Sequence, residues 1–587
     1  MGVHQNEKVE TRPGSPRAES ELSPVEAQVH IRTIIAIIAV NFALFGQMVS
    51  LVGSGFLAQT MATFLGDASK AVWFSTSIAI ATIALNPPIS QAADFWGRKW
   101  LMVITNAVAV PGCIIISRAQ NIGTCIAGFC IMGLTFGSQS LLYSVVSEIL
   151  PRKHRGIGQA SLNITSGLGA VFALLVGGGL IRHNVEHFRI YWYIACGVYA
   201  IATLGVIIGY NPPPRPLQKS LTTMQKVRSL DWLGFLLMTA GLTLFSIGLQ
   251  FYGNPYSFQD AAVLGPFIVG VCLLIAFSLY QWLGRSDGLV HHGLFRDRNF
   301  AIALVGIFTE GSAFFASNSY FAFEVSILAH VSLFEAAIHF SIFFFGALFF
   351  SGLAGVLVDR TKSVREPLIF GFAGLMAYNA AMTSINPGSG QAPFWGLAVL
   401  GSVGLGFIIT TITIAAQMSA PPELISVTTG LLVTSRSVGG IVGLAVNNAI
   451  FINSVKNQVP SHIAKAVLPL GFPPENLQSL IPAMLSNNPA LVAKVPGLTP
   501  EIGLAAQHGL FEGYAISFRH VWIAATCFCA VGFLLSCFLI NKKSEFTAAI
   551  DAPMEQDVDF GDGISPKAME QAEHVEIEEI APAQRAT

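Results

Sequence analysis

The chain has 587 residues, of which 53% are hydrophobic and only 11% are charged, with a formal net charge of -1. Soluble globular proteins carry about twice that charged share, so the composition excludes a soluble protein and makes lipid the solvent for most of the chain. The near-neutral charge, without a basic patch, predicts no nucleic-acid partner.

The first segment, 1–32, is polar and contains Pro13, Pro16 and Pro24. We expect it to form a disordered cytosolic tail. It has no short apolar core followed by a small-residue cleavage site, so we expect the first long apolar run to serve as the targeting signal.

Apolar windows of about 20 residues, the length that crosses a bilayer as a helix, predict an all-α membrane protein with about fourteen spans. An even count puts both termini on one side. The predicted spans are 33–52, 72–92, 100–117, 126–147, 164–181, 190–209, 232–251, 262–283, 300–323, 337–358, 367–385, 394–417, 428–451 and 520–540.

The positions of Lys and Arg predict the orientation, because positive charge is retained on the cytoplasmic side. Loops after even-numbered spans are rich in these residues, as in Arg98-Lys99 and Arg152-Lys153. We therefore expect both termini to be cytoplasmic. The short loops on the opposite side hold only Lys70, Arg118, Arg182 and Arg189.

A charged segment, Asn86–Leu101, lies between predicted spans two and three. Its D-x-x-G-R-K core resembles the signature loop that the major facilitator superfamily places between its second and third membrane helices. A weaker echo follows span ten and suggests two related halves. A carboxylate there can accept hydrogen bonds from a helix N-terminus and pair with basic neighbours. We expect a cytoplasmic gate; the alternative is a helix cap beside charges that set topology. The gate candidates are Asp94, Gly97, Arg98, Lys99, Asp359 and Arg360.

Four further motifs extend this resemblance over residues 33–540. They are Phe188-Arg189-Ile190, Asp231-Trp232-Leu233-Gly234, Leu294–Phe300 and Ser435–Gly440. With them the chain resembles the fourteen-helix drug:H+ antiporter branch of the superfamily, and within it the fungal trichothecene efflux pumps and their relatives, which include siderophore-iron transporters. The resemblance implies the major facilitator fold, with six-helix bundles at 33–209 and 300–540 and two inserted helices with linkers at 210–299.

The chain also departs from the family pattern. Ser90, Ala92 and Phe95 stand where the loop motif has its first Gly, its Leu and an Arg. Phe129 stands where an Arg is expected in span four, and the antiporter motif at Ala173–Gly178 keeps its glycines but lacks the proline. These departures leave the direction of transport and its coupling to protons open.

Two charged residues are predicted inside spans. Glu310 lies about 15 Å from the start of span nine, near the bilayer midplane. Charged residues are expensive in lipid, so Glu310 is a candidate proton carrier or counter-charge for a substrate; the alternative is a neutral Glu that packs helices. Arg436 in span thirteen either reaches the cytoplasmic surface, pairs with Glu310 or holds an anionic part of the substrate.

Polar residues within the spans are candidates for lining a central cavity, although such residues equally often bond between helices. They are Asn41, Gln47, Gln139, Tyr143, Asn318 and Tyr320. Glycines of spans five and thirteen have small-x-x-x-small spacing and predict close helix contacts on which the halves rock. They are Gly167, Gly169, Gly177, Gly178, Gly179, Gly439, Gly440 and Gly443.

Three further regions lie at the ends of these spans or beyond them. Glu324, Glu335 and His339 are interpreted as solvated residues of the outer rim. A long outer loop, about 453–518, contains amphipathic pieces that predict short helices and acts either as a lid or as a linker. The acidic segment 541–587 is expected to be a disordered cytosolic tail.

These features predict a monomeric secondary transporter with alternating access, driven by protons, that exports a trichothecene-like mycotoxin or drug across the plasma membrane of a fungal cell. The alternatives are a vacuolar or vesicle membrane, import of a ferric siderophore, or a membrane sensor or intramembrane enzyme. No G-x-x-x-x-G-K-[ST] motif is present, so ATP is not the predicted energy source. No metal-ligand spacing or partnered nucleophile is present either, so no enzyme activity, metal or cofactor is predicted.

Overall fold

The computed structural model describes residues 31–66, 70–71, 73–213, 222–251, 259–284, 288, 292–421, 424–485 and 495–547, and these form helices joined by short connections. Residues 1–30 of the predicted segment 1–32 lie outside the described residues, and its last two residues already belong to α1. A long helix is present at each predicted span. The helices are Ile31–Phe56 (α1), Trp73–Trp96 (α2), Arg98–Arg118 (α3), Ile122–Ile149 (α4), Arg155–His183 (α5), Phe188–Gly209 (α6), Trp232–Phe251 (α7), Ala261–Leu279 (α8), Arg298–Leu328 (α9), Leu333–Thr361 (α10), Arg365–Met382 (α11), Ala392–Gln417 (α12), Ile425–Val467 (α13) and Pro500–Ser536 (α14).

Among the described helices, twelve are long and apolar enough to cross a membrane. The helices α2 and α11 fall below that threshold. α2 ends in the polar run from Asn86 to Asp94, and α11 is only 18 residues long and begins with Arg365 and Glu366. The fold is thus an all-α membrane fold, whereas the count of fourteen crossings stays a prediction.

The helix α4 is interrupted near its middle by a 3-10 turn, Leu134–Ser138. Side chains from two neighbouring helices donate to carbonyls of this turn: Gln47 of α1 to Thr135 O at 3.0 Å, and Asn86 of α2 to Phe136 O at 2.8 Å. Backbone groups in a lipid environment must find partners within the protein, so these bonds make the irregular turn tolerable there.

The helices pack as two groups, and the apolar core of the C-terminal group extends onto α5 of the N-terminal group. In the N-terminal half α1 packs on α5 and α6, and α3 on α4 and α6; in the C-terminal half α13 packs on α9 and α14, and α12 on α10 and α11. The halves meet along two seams, α5 against α10 and α2 against α13. The inserted pair α7–α8 packs through α7 against α2 and α13, so it borders the second seam.

The predicted outer loop is shorter than expected, because the flanking helices continue into it. α13 runs to Val467 and α14 begins at Pro500. The extensions carry too many polar residues to resemble a span, yet they bury apolar side chains against each other and the short helix Leu477–Leu485. We call this unit the cap; its core comprises Val459, Ile463, Val467, Phe472, Leu480, Ala483, Val495, Ile502 and Ala506.

The first residues of the predicted tail 541–587 contact the helical bundle. Residues 541–547 are described and lie against the end of the bundle that carries Asp94 and Asp359, which we call the basic end. Phe546 is buried, and Asn541 accepts hydrogen bonds from Val364 N and Arg365 N at the start of α11. We call Leu539–Thr547 the strap. The rest of the predicted tail lies outside the described residues.

Candidate transport site and gate

Arg98, the first residue of α3, connects the two halves at the basic end. Its guanidinium is 2% exposed and donates to Asp94 Oδ1 at 3.1 Å, Glu148 Oε1 at 2.8 Å and Ser426 Oγ at 2.8 Å. Asp94 and Glu148 belong to the N-terminal half, whereas Ser426 begins α13 of the C-terminal half. Two carboxylates therefore hold a buried cation that reaches across the α2–α13 seam.

The neighbouring motif residues place this guanidinium. Gly97 joins α2 to α3 with φ at +86°, a left-handed conformation that favours glycine, so the two helices are separated by a single residue. Lys99 points away from Asp94 and donates to Ile207 O at 2.8 Å and to Asn211 Oδ1, at the end of α6. Lys99 thus binds within its own half, while Arg98 reaches the other.

Asp359, the predicted echo of Asp94, bridges the other seam. Its Oδ1 accepts from Gly156 N at 2.9 Å and its Oδ2 from Ile157 N at 3.1 Å. These amides belong to the first turn of α5, where free N–H groups and the helix dipole favour a carboxylate. The helices approach closely, since a Cβ on Gly156 would overlap Asp359 and the Gly355 carbonyl. Arg360 is exposed.

A third set of contacts lies between the two seams. Gln417, the last residue of α12, accepts from Ser147 Oγ at 2.6 Å and from Gln159 Nε2 at 3.4 Å. Farther along α5, Asn163 Nδ2 donates to Thr410 Oγ1 at 3.0 Å. Buried side chains of α4 and α5 are thereby bonded to α12, and the basic end is closed.

The strap adds a contact outside the helices. It runs along the C-terminal half, where Asn299 and Ile540 exchange two hydrogen bonds at 2.8 and 3.0 Å, and then reaches the N-terminal half. There Lys153 N donates to Thr547 O at 2.8 Å, and Arg152 pairs with Glu545 at 2.9 Å.

Glu310 and Arg436 form an ion pair in the C-terminal half. Arg436 donates through Nε to Glu310 Oε2 at 2.7 Å and through Nη2 to Oε1 at 2.9 Å. Glu310 is fully buried, whereas Arg436 is 27% exposed and lies over the Phe314 ring at 4.8 Å.

Small residues on both helices allow this pairing. A Cβ on Gly311 of α9 would overlap the Arg436 carbonyl, and a Cβ on Gly439 of α13 would overlap the Phe308 carbonyl. The two backbones therefore touch on either side of the ion pair. Gly167 and Gly178 of α5 similarly contact α10, at Leu348 and Phe334, along the first seam.

The six predicted cavity residues have different surroundings in the structure. Asn41 is bonded to Ser161 and Thr165 of α5, and Gln47 is fully buried against α4. Tyr320 packs against Phe451 of α13, with ring centroids 5.3 Å apart. The remaining three, Gln139, Tyr143 and Asn318, are half-buried.

The interpretation of the rim residues is wrong for two of the three. Glu324 is 1% exposed and His339 is 2% exposed, stacked on Trp395 at 4.1 Å. α9 continues to Leu328, beyond its predicted end, which keeps Glu324 inside the bundle. Glu335 is exposed and caps the start of α10 with Ser332.

Three residues of the candidate gate at the basic end were not predicted to belong to it. Glu148 is interpretable from sequence only as a boundary charge, and Ser426 and Gln417 carry no motif, because their roles depend on contacts between residues far apart in the chain. Phe129 lies between Phe74 and Trp192. Its ring stacks on the Phe74 ring with centroids 4.8 Å apart and meets the Trp192 ring edge to face with centroids 5.0 Å apart. An aromatic cluster thus occupies the position where the family has an Arg.

The sequence matches a known family along most of its length. The family model described as fungal trichothecene efflux pump (TRI12) matches residues 30–550. The chain belongs to this family. Relatives of the chain are described as MFS-type transporters, which agrees with the apolar helices of a multi-pass membrane transporter.

Individual relatives of this TRI12-family chain agree. The trichothecene efflux pump TRI12 of Fusarium sporotrichioides is 24% identical over 511 residues, which cover 83% of each chain. The acurin A biosynthesis cluster MFS-type transporter of Aspergillus aculeatus is 24% identical over 82% of this chain and 84% of its own. The crystal structure of the human organic anion transporter MFSD10 matches with a TM-score of 0.50 at 12% identity, over 86% of this chain and all of that one. That likeness shows the shared fold.

Proposed function

We propose that this protein exports a small organic secondary metabolite, trichothecene-like in character, from a fungal cell by exchange with protons. It acts as a monomer in the plasma membrane with the basic end in the cytoplasm. The observation that carries the proposal is the closed basic end, where Arg98, Asp359 and Gln417 each bond to the opposite half, beside a family match over most of the chain.

In this proposal the structure represents the state that is shut toward the cytoplasm. The polar contacts break when the halves rock, and the substrate then reaches the centre from the cytoplasmic side. Arg436 is suited to bind a compound that carries oxygen atoms on an apolar skeleton. Glu310 holds one edge of the guanidinium, and the guanidinium lies over the Phe314 ring. The exposed part of Arg436 can donate a hydrogen bond to a substrate oxygen.

The experiment measures accumulation of a labelled trichothecene in fungal cells with and without the protein, at two external pH values. Export predicts lower accumulation in cells that express the protein, with a larger difference at acidic external pH. The matched control is Arg436→Gln, at equal membrane abundance. Higher accumulation in expressing cells contradicts export and supports import, and an unchanged difference between the two pH values contradicts proton exchange.

A further inference from the structure

A second buried carboxylate lies on α9 outside both the gate and the ion pair. Glu324 is 1% exposed, and its Oε2 accepts a hydrogen bond from the Trp522 indole of α14 at 2.6 Å. Trp522 is itself fully buried, and the Tyr378 ring of α11 packs against it at 5.8 Å. Three helices of the C-terminal half thus enclose this carboxyl group.

The surroundings of Glu324 differ from those of Glu310 in charge. Among the described residues no cation pairs with Glu324. Outside the cap and the basic end, the titratable groups on the helices packed around Glu324 are engaged elsewhere, exposed or uncharged. On α13, Arg436 is paired with Glu310 and Lys456 is exposed. On α14, Arg519 is bonded to Thr383 O and Asn386, and His520 is bonded to Ser454. On α10, Glu335 and His339 are bonded at the start of that helix, and on α11 Tyr378 is an uncharged phenol.

A buried carboxylate with one neutral donor and no cation is costly when ionised, and the usual response is to take up a proton. Glu310 has the opposite arrangement, because a bidentate Arg compensates its charge. We propose that Glu324 is a proton-binding site of this transporter, exchanging its proton toward the end opposite the basic end.

The same helix carries both carboxylates. They are fourteen residues apart on α9, about 21 Å and close to four turns, so they lie on nearly the same face. Asn379, the neighbour of Tyr378 on α11, donates to Cys529 Sγ of α14 at 3.4 Å, so the helices around Glu324 are also bonded to each other. Protonation of Glu324 can therefore bias the helices that hold the ion pair. This use in transport rests on the proposed function, whereas proton binding itself does not.

The test is infrared difference spectroscopy of the purified full-length protein in lipid between mildly alkaline and mildly acidic pH. It needs no substrate. The wild type should gain a carboxylic-acid carbonyl band at acidic pH, and Glu324→Gln should lose it. The matched control is Glu335→Gln, an exposed carboxyl a few turns away in the fold, which should keep the band.

Trp522→Phe guards against misfolding of the first variant. It keeps the carboxyl group and removes its donor, so the band should persist and shift to higher frequency. A band that survives in Glu324→Gln, or one lost only in Glu310→Gln, overturns the proposal. A protein that shows the Glu324 band but does not change toxin accumulation contradicts the proposed export instead, so the two failures are distinguishable.

Discussion

Ser426 and Arg436 lie on the same helix, α13, about 15 Å apart along its axis, and each contacts a different functional element. Ser426 accepts from Arg98 of the opposite half, whereas Arg436 holds Glu310 near the centre. A helix is stiff over this length, so a movement of α13 that breaks the first contact also displaces the second. The helix α13 thereby links the candidate gate at Arg98 to the candidate substrate site at Arg436.

Ser426→Ala should favour opening of the basic end. It removes the bond across the seam but leaves Arg98 paired with Asp94 and Glu148, so folding is preserved. A hydrogen bond to a charged group contributes about 1.5–3 kcal/mol, enough for roughly a tenfold shift between closed and open populations. The reporter is the distance between spin labels at Trp100→Cys and Thr361→Cys, one on each half.

The labels require replacement of the exposed cysteines Cys130, Cys272 and Cys527 by serine. Ser419→Ala is the matched control, since that hydroxyl bonds only to Ala415 O within its own half. A distance distribution that is unchanged in Ser426→Ala contradicts a gating role for the Arg98 contact.

Asp359→Asn should weaken the other seam. The amide can accept from only one of the two α5 backbone N–H groups and carries no charge to favour the helix N-terminus. Loss of such a cap costs about 1 kcal/mol, so the protein should fold normally while export falls several-fold. Arg360→Gln, at the exposed neighbouring position, should leave export unchanged. Equal export in both variants would show that Asp359 is a cap without a gating role.

How far the sequence predicts this protein depends on whether a feature is local. The helices follow from apolar length, and Asp94 with Asp359 from a local motif. The bonding partners of these motif residues do not follow from the sequence. Arg98 bonds to Ser426, which lies more than three hundred positions away, and no local sequence pattern predicts that contact. The burial of Glu324 was not predicted, because α9 is longer than its apolar window. The cap was not predicted, because its helices bury their apolar faces against each other.

The Glu310–Arg436 pair yields a double-variant prediction. Removing one partner of a buried ion pair costs about 3–5 kcal/mol, because the other charge is left uncompensated. Arg436→Gln should therefore lower the thermal unfolding midpoint in detergent, because it leaves the fully buried Glu310 without its partner. Glu310→Gln should lower the midpoint by a smaller amount, because the remaining Arg436 is 27% exposed. The double variant should regain stability but not export.

Two outcomes separate structure from transport in this set. Recovery of both stability and export in the double variant would assign the pair a purely structural role. An export defect that persists at restored stability supports contact of Arg436 with the substrate, and Arg436→Lys should then remain impaired, because a lysine cannot hold Glu310 with two parallel bonds.

The strap should act on the gate mainly through Phe546. Full burial of a phenylalanine contributes about 1.5–3 kcal/mol, whereas a partly exposed ion pair such as Arg152–Glu545 contributes about 0–1 kcal/mol. Phe546→Ala should thus lengthen the Trp100–Thr361 label distance clearly, and Glu545→Ala only slightly. Glu545 and Phe546 are adjacent in the sequence, so each variant is the control for the other. A larger effect of Glu545→Ala would mean that charge attraction to Arg152, rather than burial of the ring, fastens the strap across the two halves.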